Sequence, residues 1–239
     1  MVRDRRVRDD AGVAVIDGPR PLSTALECDV ALEAVFARPD RYAAVAEMVG
    51  ERADVFEVES EVLDRLADAE TPQGVLAVVE RHDAGIDEIT DLARVVVIDR
   101  VQDPGNAGAI VRTAVAAGFD AVVAGTGTAD LWSPRAVRAS AGTIFALDVV
   151  RRIEPAEALR VLGSAGHRRV ATSADAPIDI DELERRELMT LVLGSEAHGV
   201  SDDALDEVDV EIAVPMAAPV ESLNVAVTAG IVMYRMRGV

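Results

Sequence analysis

The chain contains no lysine; all 24 of its basic residues other than histidine are arginine. A Walker-type phosphate loop requires a lysine, so that class of nucleotide site is excluded. The single cysteine, Cys28, excludes an internal disulfide framework and fits a reducing compartment. Aromatic residues are only 3% of the chain. Its one tryptophan, Trp132, stands just before Pro134 and reads as packing at a helix start rather than as a base-stacking platform. No apolar run approaches the ~20 residues that cross a bilayer. The opening MVRDRRVRDD has charges but no apolar h-region, so it is not a signal peptide. A cytoplasmic protein with no membrane association is expected. His82, His167 and His198 lack companions at metal-ligand spacing, so no metal is expected.

What is present in excess is acid. The net charge of −19 is the opposite of the basic footprint that a nucleic-acid-binding chain usually shows. Abundant Ala, Val, Asp and Arg beside absent lysine read as a bias of overall composition. On that reading the acid residues cover the back and sides, while arginines gather at a site.

Residues 1–81 alternate short apolar runs with helical patterns. Val13 to Asp17, Leu32 to Ala37, Asp54 to Glu59 and Gly74 to Glu80 are rich in Val and Phe and predict strands. Tyr42, Val45 and Val49 have helical spacing. The N-terminal Arg3, Arg5, Arg6 and Arg8 read either as a solvated tail or as a phosphate-contacting arm. Residues 82–93 are acidic without sustained periodicity, which predicts a linker. From residue 94 to 239 the pattern changes to long β-branched runs separated by helices: Val95 to Asp99, Ala121 to Gly125, Phe145 to Val150, Arg169 to Ala174, then LVLGSE and VEIAVPM. Near-continuous apolar strands predict an α/β fold with a parallel sheet covered on both faces. Such a sheet binds ligands beyond the carboxyl ends of its strands, where Asp99, Gly194 and Pro215 fall. GTGTAD at Gly125 to Asp130 lacks the third glycine of the dinucleotide fingerprint, which argues against a Rossmann-type site.

Three segments stand out. DPGNAGAIVRTAVAAGF (Asp103 to Phe119) reads as a turn and a helix over Ala107 to Ala117, stopped by Gly118. LVLGSEAHGVS (Leu191 to Ser201) ends a strand in a polar loop. VPMAAPVESLNVAV (Val214 to Val227) places polar residues at the mouth of an apolar helix, where backbone N–H groups lack partners. Ser222 at that mouth is either a helix cap or a site residue. Side chains of a helix lean toward its N-terminus, so Arg112 can extend toward Asn106, about 9 Å away along the axis. The bland alternative for Arg112 is a surface salt bridge.

In order and in content these segments resemble the three signature motifs of the SpoU/TrmH family of RNA ribose 2′-O-methyltransferases. IDGPRPLSTAL and ADAETPQGVLAVV resemble the ribosomal-protein-like substrate-binding domain that often precedes that catalytic domain. The resemblance implies a C-terminal deep trefoil knot, which pattern alone would reject. It also implies S-adenosylmethionine as cofactor, a homodimer through the methyltransferase domain, and structured RNA, ribosomal RNA first and transfer RNA second, as substrate. By the same resemblance Arg112, Asn106, Glu196, Ser222 and Asn224 carry catalysis. Gly194, Val214 and Leu223, with Met216 alongside, contact the cofactor. Arg3, Arg5, Arg6, Arg135 and Arg138 are candidates for RNA contact. Where the family usually has Gly two residues after the Met of the third motif, this chain has Ala218, which would be strained if its φ were positive. A catalytically inactive RNA-binding protein of the same fold is the competing reading.

Overall fold

A computed structural model describes residues 4–67 and 71–237; Arg3 and the 68–70 part of ADAETPQG lie outside the described residues. The chain divides into two compact units, Met1–His82 with Asp130–Ala146, and Asp83–Ala129 with Leu147–Val239.

The first unit begins with α1 (Arg5–Ala11), β1 (Val13–Asp17), α2 (Pro19–Glu27), β2 (Leu32–Ala37), α3 (Pro39–Val49), β3 (Val55–Glu57), α4 (Ser60–Leu66) and β4 (Val75–Glu80). Its sheet has the order β1-β4-β2-β3, in which only β2 and β3 run parallel. From Asp4 on, the arginine-rich start is helical and not a loose tail. Asp4 caps α1 by accepting from the Arg6 N–H, and Gly12 ends the helix at a φ of 67°.

The second unit starts with β5 (Arg94–Ile98), α5 (Pro104–Ala116) and β6 (Ala121–Gly125); the next helix, α6 (Pro134–Ala139), belongs to the first unit. Two charge contacts explain that return. The Arg8 guanidinium, its side chain 3% exposed, meets Asp130 at 2.8 Å, and Arg138 meets the buried Asp17 at 2.9 Å. The strand expected from Phe145 starts later for the same reason. Phe145 packs on Trp132 inside the first unit, Thr143–Ala146 form a 3-10 turn, and β7 runs Asp148–Ile153.

After β7 come α7 (Pro155–Ser164), β8 (Arg168–Thr172), the short β9 (Ile178–Asp179), β10 (Met189–Leu193), α8 (Asp202–Leu205), β11 (Val210–Ala213) and α9 (Val225–Met236). Seven strands form one sheet in the order β7-β6-β5-β10-β8-β11-β9, and every pairing in it is parallel. Every residue of β5, β6 and β10 is buried, as a sheet covered on both faces requires. Val95, Val97, Val123 and Val192 pack with Leu159 and Leu162 of α7, each fully buried side chain contributing about 1.5–3 kcal/mol of hydrophobic stabilisation. Within the segment read as a linker, Ile86–Ile89 form a 3-10 turn whose Ile89 is buried in this same core.

Candidate active site

Because the strands are parallel, the chain leaves β8, β10 and β11 on one side of the sheet. A cavity of about 300 Å³ opens there. Its wall is built from Thr172 to Ala174 after β8, Gly194 to Glu196 and His198 to Val200 after β10, Val214 and Met216 after β11, and Ser222 and Leu223 before α9. Glu196 and Glu211 are on the wall, and no arginine is. The cavity is thus acid-lined and otherwise largely apolar, suited to a ligand with positive charge.

The loop after β10 can take this shape only with glycine at its start. A Cβ on Gly194 would lie 2.0 Å from the backbone carbon of Gly199. Ser195 and Gly199 exchange backbone hydrogen bonds of 3.0 and 2.9 Å, and the His198 N–H donates to Ser195 Oγ at 3.2 Å. His198 is exposed and serves the turn through its backbone.

Three candidate residues, distant in the chain, form one hydrogen-bonded string. Asp103 caps α5 by accepting from the Asn106 N–H at 2.9 Å. The Asn106 side-chain amide then donates to Glu196 Oε1 and accepts from Asn224 Nδ2 at 3.1 Å. Asn224 Oδ1 accepts from the N–H groups of Ala226 and Val227, so the cap of α9 is Asn224 and not Ser222. Ser222 stands on the cavity wall instead. Helices α5 and α9 lie close together: a Cβ on Gly230 would reach 3.6 Å from the Thr113 methyl. At the far end of α9, the buried Arg94 guanidinium donates to the carbonyls of Met236 (2.9 Å), Ala93 and Glu187.

Arg112 is not on the cavity wall of its own chain. It is exposed on α5, and it has no hydrogen-bond or ion-pair partner among the described residues, so the surface salt-bridge reading does not apply. Arg5, Arg6, Arg135 and Arg138 all belong to the first unit despite their separation in the chain. Arg5, Arg6 and Arg135 are exposed, whereas Arg138 is held by Asp17. Ala218 does not take positive φ, so the expected strain is absent. No motif in the sequence marks Thr172, Ser173 and Ala174, which also line the cavity; their place at the carboxyl end of a parallel strand is the signal for them. Among the described residues no group of three or more His, Cys, Asp or Glu could hold a metal ion.

Residues 93–234 match the model of the SpoU rRNA Methylase family. The chain belongs to that family. Residues 1–77 also match the MRM3-like substrate binding domain. A relative from Bacillus subtilis, the 23S rRNA (guanosine(2553)-2′-O)-methyltransferase RlmP, is 38% identical over 72% of this chain and 68% of its own length. Among solved structures, the SpoU methyltransferase AviRb from Streptomyces viridochromogenes, in complex with AdoMet, has a TM-score of 0.86 at 28% identity, covering 98% of this chain and 93% of that one. The AdoMet-bound rRNA methyltransferase from Sinorhizobium meliloti has a TM-score of 0.86 at 26% identity, over 98% of this chain and 90% of its own.

Proposed function

We propose that this SpoU-family chain methylates a ribose 2′-hydroxyl of structured RNA, using S-adenosylmethionine bound in the cavity beyond β8, β10 and β11. The observation that carries the reading is the meeting of the three motif segments: Asn106, Glu196 and Asn224 are bonded to one another, and Glu196 also lines the cavity. The cavity fits the cofactor. Val214, Met216 and Leu223 offer apolar contact, Gly194 lets the backbone approach, and Glu196 and Glu211 suit its positive sulfonium. Bound there, the cofactor supplies an electrophilic methyl group.

The remaining work falls to the chain's own residues. Transfer requires the ribose oxygen to be held in line behind the methyl, with its developing negative charge stabilised. A guanidinium, with a pKa above ~12, is a poor base. Arg112 therefore stabilises the emerging alkoxide and holds an RNA phosphate that accepts the hydroxyl proton, while Asn106, Ser222 and Asn224 orient the ribose and the loops. Arg112 lies off its own chain's cavity, so it acts at the cavity of a second copy. The homodimer this requires uses α9. That helix exposes Val227 (52%), Ile231 (41%) and Tyr234 (48%) at i, i+4 and i+7, an apolar stripe suited to a twin.

The first unit grips the RNA, with Arg5, Arg6 and Arg135, together with Arg3, as phosphate contacts, and Arg138 as a further contact behind its pairing with Asp17. Ribosomal RNA is the first choice of substrate, in line with the 23S rRNA activity named for the Bacillus relative. Transfer RNA is the second. A trefoil knot formed by the chain around β10 and β11 completes the reading, supported by the insertion of β10 between β5 and β8. The reaction belongs in the cytoplasm.

Calorimetry with S-adenosylmethionine and methyl transfer to ribosomal RNA test this directly. Arg112→Ala is expected to bind the cofactor as the unaltered protein does and to lose turnover. Retained turnover removes the mechanism. Absence of cofactor binding in the unaltered protein favours a non-catalytic RNA-binding role, a reading that the net charge of −19 does not favour either.

A further inference from the structure

Asp99 takes no part in the chemistry described above, yet it is 1% exposed at the carboxyl end of β5, which lies beside the central strand β10. Its backbone N–H donates to the Leu193 carbonyl at 2.8 Å, and its Oδ2 accepts from the Ser201 N–H at 2.6 Å. Leu193 is the last residue of β10 before the Gly194 loop, and Ser201 is the first residue after that loop's Val200. One residue thus grips both ends of the loop that carries Glu196. The other carboxylate oxygen accepts from Arg100 Nε at 3.0 Å, so the buried charge is satisfied on both sides.

Apart from Val200, which is buried in the core at its exit end, the loop is held mainly by polar ties. Glu196, Ala197, His198 and Gly199 are exposed, and the loop's shape depends on the close approach of Gly194 to Gly199. Its own ties are the two Ser195–Gly199 hydrogen bonds, the turn bond at His198 and the side-chain bond from Asn106 to Glu196. Losing the tie at Ser201 removes the side-chain hold on the loop's exit and leaves buried Val200 as its anchor there, while the sheet stays intact. The strand end is fixed by β5 and β10, so the effect falls first on the stretch of cavity wall that Gly199 and Val200 form.

We infer that Asp99 is a positioning residue that closes the cofactor loop by clasping its two ends, and thereby sets affinity for the cofactor. This rests on the reading of the cavity as the S-adenosylmethionine site. The test compares Asp99→Ala, Asp99→Asn and Arg100→Ala in three measurements: hydrogen exchange at the amides of residues 195–201 without ligand, the calorimetric Kd for S-adenosylmethionine, and kcat against cofactor KM. Asp99→Ala is expected to speed exchange at Ser201 and raise Kd and KM about tenfold or more, the scale of one hydrogen bond to a charged group, with kcat changed much less. Asp99→Asn keeps an acceptor and falls between, about threefold from wild type. Arg100→Ala leaves all three within about twofold, because its side chain is 43% exposed and screened. A merely destabilised protein would lose active fraction, lowering kcat with KM unmoved. Unchanged loop exchange or unchanged KM in Asp99→Ala overturns the clasp; if that variant does not fold, unchanged values in Asp99→Asn do so. Failure of the unaltered protein to bind S-adenosylmethionine defeats the cavity reading instead, and the exchange measurement still decides the clasp.

Discussion

Replacing Asn224 by alanine and, separately, by aspartate divides its two tasks. Asn224 Oδ1 accepts from the N–H groups of Ala226 at 2.9 Å and Val227 at 3.4 Å, while its Nδ2 donates to Asn106 Oδ1 at 3.1 Å. Alanine removes both functions. Loss of such a cap costs about 1 kcal/mol, within a range of roughly 0.5–2. For a chain of this length that lowers the melting temperature by about 2–4 °C. Aspartate caps as well as asparagine does, and its charge is favoured at a helix start, so Asn224→Asp is expected within about 0.5 kcal/mol of the parent. It cannot donate to Asn106, however, and it sets a second carboxylate near Glu196. One hydrogen bond of this kind is worth about 0.5–1.5 kcal/mol, which corresponds to roughly a two- to twelvefold loss. Thermal unfolding read by circular dichroism, beside transfer of a radiolabelled methyl group to ribosomal RNA, separates the two effects. The expected pattern is a stable but slow aspartate variant and a less stable, equally slow alanine variant. Full turnover in Asn224→Asp would refute the string from Asn224 through Asn106 to Glu196 as part of the working site. An unshifted melting temperature in Asn224→Ala would refute the cap.

Three further outcomes follow from other contacts. Ile231→Glu on the exposed stripe of α9 should break the proposed homodimer, seen as a monomer against a dimeric parent in analytical ultracentrifugation, and abolish turnover, while cofactor binding persists. Burial, the largest influence on His167, holds its pKa below the ordinary 6.5. With the folded pKa below the unfolded one, its contribution to stability is complete above about pH 6.5 and declines as the pH falls through that value. The urea midpoint should therefore drop between pH 7 and 5, and drop less in His167→Gln. Arg94→Met removes the donor from the carbonyls of Met236, Ala93 and Glu187, and the buried acceptors left behind should cost about 2–4 kcal/mol in urea unfolding.

The parallel sheet was legible because β5, β6 and β10 are buried on both faces, which leaves uninterrupted runs of Val, Ile and Leu in the sequence. The three motif segments were legible as sequence, and their meeting rests on side-chain bonds spanning 90 and 118 residues that no local pattern encodes. The assignment of α6 to the first unit was illegible for a similar reason: Arg138 and Asp17 are 121 residues apart, and neither is unusual in its own neighbourhood. At the mouth of α9 two capping residue types stand two positions apart, and the backbone chose Asn224 over Ser222. The helix over Arg5–Ala11 was hidden by its charge. A run of arginines and aspartates reads as solvated until the partner that buries Arg8, Asp130, is known.

The central claim is methyl transfer to a ribose oxygen, and nucleoside analysis of the product tests it most directly. Ribosomal RNA from cells lacking this gene, incubated with the protein and labelled S-adenosylmethionine, should yield after digestion a single labelled 2′-O-methylnucleoside, and none with Arg112→Ala. Label on a base, or equal label with the Arg112→Ala protein, would contradict the account.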